Sequence, residues 1–270
     1  MAITKLALNG VEYEIGNRVV TEGPQLYEGR ELTEYSWAQL KEKCTTGNYS
    51  DLRIGDYKIL DLTSGEQVKA QIAGIDTYRG TYSGLVGHHI DWISKDCLST
   101  SYPWNDDTSS GMNNGTAEEN KPYIASTLYQ KLTTDVYNIL PSDLKSNLKE
   151  KFVLCENRYS GDGVISDSTK GSIVSIGYVW IPSEYEVFGS IILGTNKWSA
   201  GGAVQYPIFS GSWSHRLKGI GNNGSAGDWW LMNPMGGAFN SSLVVSKDGF
   251  VDNISVSENK YIPLCFRIAE

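Results

Sequence analysis

The sequence predicts an α+β fold, on three observations. Sixteen tyrosines, eight tryptophans and 29 glycines in 270 residues favour short strands joined by turns, because rings fit a pleated surface and glycine punctuates it. Helical apolar spacing occurs in few places, chiefly after Ser36 and after Pro122, among many short strand-like runs. The 40% hydrophobic content over this length is enough for one large core, which is where single domains stop growing.

Taken in order, residues 3–15 (ITKLALNGVEYEI) alternate apolar and polar positions around Asn9-Gly10. That pair tolerates the positive φ of a type I′ turn, so a β-hairpin is expected. Residues 16–32 read as a linker, giving a small N-terminal unit over 1–32 and a main domain over 33–270. Ser36 and Gln39 have capping-box spacing, with Trp37, Leu40 and Cys44 on one helical face and a stop near Gly47. Strands follow at DYKILDL and QVKAQIAGI, joined by a Ser64-Gly65 turn, and at HHIDWIS.

Residues 99–120 look least ordered. A helix is predicted from Pro122, carrying Ile124, Leu128 and Leu132 inward, and Pro141 stops it. Ser142 then caps a second, shorter helix. The remainder returns to strands at KFVLCENRY, GYVWIP, DWWLM, SSLVVS, FVDNIS and IPLCFRI. A short helix at SEYEVFG is capped by Ser183 and Glu186, and Lys247-Asp248-Gly249 marks a tight turn.

Several function classes are disfavoured by composition. The net charge is −8, with no basic stripe to follow a phosphate backbone, so no nucleic-acid partner is expected. No apolar run approaches the roughly 18 residues of a membrane span, so no membrane insertion is expected. The N-terminus has no signal-peptide pattern, which points to synthesis in the cytoplasm. Cys44, Cys97, Cys155 and Cys265 lack C-x-x-C spacing and read as buried free thiols.

The chemical motifs are weak. Gly219, Gly221 and Gly224 have dinucleotide-fingerprint spacing, but the strand and helix that make such a loop work are missing from the pattern. Asp106, Thr108, Ser110 and Gly111 open like a calcium loop, yet Ala117 stands where a bidentate glutamate is required. His88, His89 and Asp91 lie on a predicted strand, where neighbours point to opposite faces, so hydrogen-bonded structural histidines are expected. Glu184 and Glu186 suit capping better than acid–base work. No catalytic residue, metal or cofactor is predicted.

One stretch stands apart: DWWLMNPMGGAFNSS, residues 228–242. As a strand it would place Trp229, Leu231 and Asn233 on one face and Trp230, Met232 and Pro234 on the other, with one ring in the core. Met232, Asn233, Met235, Phe239, Asn240 and Ser242 lie where strand gives way to glycine-rich loop, a common setting for binding residues. Trp213, His215, Asn222, Asn223 and Ser225 upstream, and Phe250, Asp252 and Asn253 downstream, show the same mixture of rings and amides. Together these form a candidate ligand face.

The ordered segments LRIGDYKILDL, GHHIDWISKDCL, GYVWIPSEYEVFGS, AVQYPIF, DWWLMNP and IPLCFRI resemble a family of phage and prophage proteins of gut bacteria with a C-type-lectin-like main domain. The resemblance covers roughly residues 36–270. Some members are targets of diversity-generating retroelements, which randomise codons near the 3′ end of the gene. It implies a variable-type region at about 212–256, ahead of Phe266 and Arg267. It also implies a non-catalytic receptor-binding protein of a phage tail or fibre, located in the virion, that recognises a host-surface protein or glycan. Other virion proteins would be partners, with the hairpin as attachment point, and a homo-oligomer, a trimer by family expectation, would follow.

The family's lectin members carry a calcium-binding Trp-Asn-Asp near the C-terminus, whereas here Trp104, Asn105 and Asp106 lie far upstream. The sulfatase-modifying relatives share the fold and use paired cysteines that this chain lacks. A formylglycine-generating-type enzyme and a bacterial surface adhesin are the alternatives, disfavoured by the missing cysteine pair and the missing signal-peptide pattern respectively.

Overall fold

The computed structural model describes residues 5–8, 11–14, 29–81, 87–106, 115–116, 118–158, 170–195, 202–210, 213–222 and 224–270. The architecture is mixed α+β, with short helices beside mostly antiparallel sheets. The alternation around Asn9-Gly10 produces a hairpin, β1 (Lys5–Leu8) against β2 (Val11–Glu14), with Leu8 opposite Val11. The rest of the expected linker up to residue 28 lies outside the described residues. Its last residue, Leu32, is fully buried and donates its N–H to the Tyr57 carbonyl at 2.8 Å. Packing of the main body thus begins ahead of residue 33.

Helix α1 (Trp37–Thr46) starts at the Ser36–Gln39 capping box and ends at Gly47, whose φ of 66° is the left-handed cap. Its buried side chains are Trp37, Leu40 and Cys44, one stripe at helical spacing. Among the described residues four more α-helices are short, α2 (Pro122–Ala125), α3 (Thr127–Lys131), α4 (Ser142–Lys145) and α5 (Glu184–Phe188), and a π-helical turn, Leu132–Val136, continues α3.

The strands after the hairpin are β3 (Tyr57–Asp61), β4 (Gln67–Ile75), β5 (His89–Cys97), β6 (Tyr102–Pro103), β7 (Phe152–Asn157), β8 (Lys170–Ser175), β9 (Val179–Trp180), β10 (Trp229–Pro234), β11 (Ser241–Val245), β12 (Val251–Ser255), β13 (Asn259–Lys260) and β14 (Pro263–Ala269). The main sheet has the order β3-β4-β5-β14-β9, antiparallel throughout. The C-terminal strand therefore lies inside the sheet, and every residue of β14 is buried. A strand paired on both sides and covered on both faces must be apolar or carry paired charges. A second sheet, β10-β11-β12, carries the candidate ligand segments, while β7 pairs β8 and β6 pairs β13.

The helix predicted from Pro122 is broken. Ser126 leaves helical geometry with ψ 150°, and its Oγ accepts the Tyr129 N–H at 3.1 Å, so α2 stops there and α3 starts anew. A serine side chain that competes for backbone donors favours this cap over helix interior. Tyr123 takes the interior position expected of Ile124, which is only partly buried, whereas Leu128 and Leu132 are fully buried. At α4 the cap position belongs to Pro141, and Ser142 is the first helical residue. Strand β8 had no sequence signal strong enough to predict.

Charges as well as apolar groups occupy the interior of the main sheet. Arg267 and Asp91 face each other across β14 and β5, joined by Nε to Oδ1 at 2.7 Å and Nη2 to Oδ2 at 2.9 Å. Nearby, Lys151 donates to Glu186 and to the Tyr206 hydroxyl, and Tyr78 donates to the same glutamate. All of these side chains are buried. Burial opposes ionisation of Asp91, but the Arg267 guanidinium overrides it and holds the carboxyl down to about 2.

Candidate functional site

The structure first removes residues from the predicted face. Both rings of β10 are core, not one: Trp229 and Trp230 are fully buried, with indole N–H groups donating to the carbonyls of Arg216 at 3.0 Å and Tyr102 at 2.8 Å. All six residues of the strand are buried, so both of its faces are covered, and its backbone is paired as well, with β11 alongside and with the Tyr261 carbonyl accepting from Trp230 and the Pro182 carbonyl from Met232. Met232, Asn233 and Ser242 are interior for the same reason. Asn233 Oδ1 accepts the Glu184 N–H at 2.7 Å, and its carbonyl accepts from Ser242 Oγ at 2.9 Å. These are structural bonds that position α5, not contacts offered to a ligand.

What remains exposed is carried mostly by turns and loops, with Asp252 on β12. Trp213 opens a 3₁₀ turn, Trp213–Arg216, and Phe250 follows the turn of residues 247–249; they are 58% and 67% exposed. Together with Leu217, Lys247 and Asp248 they line an open groove of about 560 Å³. The turn is fixed by Gly249 N–H to Ser246 carbonyl and Ser246 N–H to Phe250 carbonyl, both 2.8 Å, and by Lys247 N–H to Asp228 Oδ1 at 2.9 Å. Gly249 has φ 82°, and a Cβ there would stand 3.2 Å from the Trp213 ring. Glycine is thus favoured by the left-handed backbone, and a Cβ would press the indole outward by a few tenths of an ångström.

The predicted face is split. Phe239 and Asn240 are exposed but precede β11, whereas Phe250 follows it. A five-residue strand separates the two ends by about 17 Å. Met235 is half-buried. Asp252 is exposed and Asn253 half-buried on β12. Asn222 and Ser225 are exposed on a loop that Cys97 fixes through Gly221 N–H to Cys97 carbonyl at 2.9 Å and Cys97 N–H to Gly219 carbonyl at 2.8 Å. Asn223 lies outside the described residues. His215 is half-buried and lines a neighbouring groove of about 510 Å³. Sequence reasoning missed Leu217, Lys247 and Asp248; the tight-turn signal at Gly249 was the cue for the last two.

The residues weighed for other chemistry have structural partners. His88 Nδ1 sits 2.6 Å from Asp76 Oδ2, and the buried His89 Nε2 accepts the Tyr78 N–H at 3.2 Å. Burial lowers the His89 pKa. The four thiols are free and buried, and burial pushes Cys97 and Cys155 up to about 12. Glu186 closes the capping box at Ser183, and Glu184 accepts the N–H groups of Ile192, Leu193 and Gly194 at 3.1, 2.8 and 3.0 Å. Among the described residues no group of three or more His, Cys, Asp or Glu is arranged to hold a metal ion. Most of the calcium-like loop after Asp106 lies outside the described residues.

A family model described as a domain of unknown function, DUF6273, matches residues 94–270. No curated protein and no solved structure matches the chain.

Proposed function

For this chain, which belongs to the DUF6273 family, we propose a non-catalytic ligand-binding function, served by the turns that flank the β10-β11-β12 sheet. The observation that carries the reading is the open groove between Trp213 and Phe250. Two large exposed rings face one cavity on loops pinned to a buried sheet, and rings of this kind supply contact area at low entropy cost. The exposed carboxylate of Asp252, two residues beyond Phe250 on β12, would tune specificity beside them.

The biological setting we propose is a phage tail or fibre component that binds a host-surface protein or glycan, as a homo-oligomer with other virion proteins as neighbours. Several copies per particle would raise modest single-site affinity through effective concentration. We read the architecture as C-type-lectin-like. Support comes from the C-terminal strand inserted between β5 and β9 and from the separate small sheet that carries the candidate loops. The enzyme alternative is weakened by Cys97 and Cys155, whose raised values keep them as protonated thiols at neutral pH.

The test is adsorption of the labelled protein to intact cells of gut bacteria. Trp213→Ala with Phe250→Ala should reduce binding more than tenfold at unchanged far-UV circular dichroism; binding that survives the double substitution would remove the groove from the account. Diversification is tested separately in the encoding DNA. A downstream near-copy of the 3′ end, differing where the copy has adenine, beside a reverse transcriptase gene, is the expected finding.

A further inference from the structure

On the other side of the Trp213–Arg216 turn, a second groove of about 510 Å³ has a different character. Ile93, Ile208 and Phe209 give it apolar surface, and its charged lining side chains include Lys69, Lys95 and Lys218, with no aspartate or glutamate among the described residues that line it. This is a local excess of cations in a chain of net charge −8. Lys218 is 3% exposed; its ammonium donates to the carbonyls of Ser94 and Lys95 and forms no ion pair among the described residues. It also lies 5.8 Å over the Trp229 ring. The Lys69 ammonium stands 3.5 Å above the Tyr57 ring at the groove wall, and Lys95 is exposed at the rim.

The Lys218 ammonium, held by two neutral carbonyls, adds its positive field to those of Lys69 and Lys95 along a groove whose described lining carries no acid. The volume falls in the range of small-molecule sites, where an apolar wall holds the body of a ligand and a few polar groups orient it. We propose that this groove binds a small amphipathic organic anion, its apolar body on Ile93, Ile208 and Phe209 and its carboxylate or sulfonate drawn to Lys69, Lys95 and Lys218. The site adjoins the Trp213–Phe250 groove at Leu217 but is otherwise lined by different residues, and it does not depend on the receptor-binding reading.

The probe is 8-anilinonaphthalene-1-sulfonate, titrated by fluorescence at low salt, against N-phenyl-1-naphthylamine, which has the same ring system without the sulfonate. The intact chain should bind the sulfonate at one saturable site and at least tenfold more tightly than the neutral compound. Lys69→Gln with Lys95→Gln should weaken the sulfonate by about tenfold and change the neutral compound less than twofold. Lys95→Gln alone, at an exposed position, should cost about threefold and keeps the test decisive if loss of Lys69 perturbs the Tyr57 wall. Trp213→Ala should leave both titrations unchanged. Equal affinity for the two probes, indifference to the lysine substitutions, or loss of sulfonate binding on Trp213→Ala would each overturn the proposal.

Discussion

Trp229 and Trp230 on β10, and Trp213 and Phe250 on the turns beside it, are side chains of the same kind in neighbouring stretches of chain, yet the first pair is fully buried and the second more than half exposed. The difference lies in what their backbones can pair with. β10 has β11 on one side, the Tyr261 and Pro182 carbonyls as further acceptors, and carbonyl partners for both indole N–H groups. The two turns close on Leu217 N–H to Ser214 carbonyl and on Gly249 N–H to Ser246 carbonyl, with Asp228 pinning Lys247, and leave their rings more than half exposed. Exposed rings on pinned turns contribute little to folding, so they are the ones free to serve a ligand.

The contrast can be broken at several strengths. Arg267→Met should be the most damaging change, because it strands Asp91 as a buried unpaired charge; a loss of about 3–5 kcal/mol is expected. In a chain of this length that lowers Tm by roughly 5–9 °C, and a shift under about 3 °C would show that the ion pair is dispensable. Trp229→Ala follows, at about 3–5 kcal/mol for an emptied core position, read by urea unfolding. Ser242→Ala removes one donor from the Asn233 carbonyl and should cost about 1 kcal/mol.

Stability should also fall with acid in two stages. His89 is held low by burial, and Asp91, despite burial, is held down to about 2 by Arg267. Both values are depressed relative to the unfolded chain, so each contributes stability above its unfolded value and loses it as pH falls. A decline in Tm should begin below about pH 6.5 from His89 and steepen between about pH 4 and 2 from Asp91. His89→Gln should erase the first stage alone. At the weak end, Trp213→Ala and Phe250→Ala should each change stability by no more than about 0.5 kcal/mol.

Much of the scaffold was legible because its signals are local. The Ser36–Gln39 and Ser183–Glu186 capping boxes, the Gly47 stop and the alternation of β4 are each decided within a few residues. The candidate ligand face was less legible, since exposure is set by distant partners. Nothing near Asn233 in the chain shows that its amide will accept from Glu184, and nothing near Ser242 shows that both faces of β10 are covered. The split between Phe239 and Phe250 was missed because β11 runs between them. Ser126 broke a helix that apolar spacing alone predicted to continue.

The claim that rim side chains are exchangeable because folding does not use them is tested most directly by two displayed libraries sorted for protease resistance. One randomises Trp213, Asn222, Ser225, Phe239, Phe250 and Asp252; the other randomises Met232, Asn233 and Ser242. The account predicts that most members of the first library survive the sort and that most of the second are lost. Equal loss from both would contradict it.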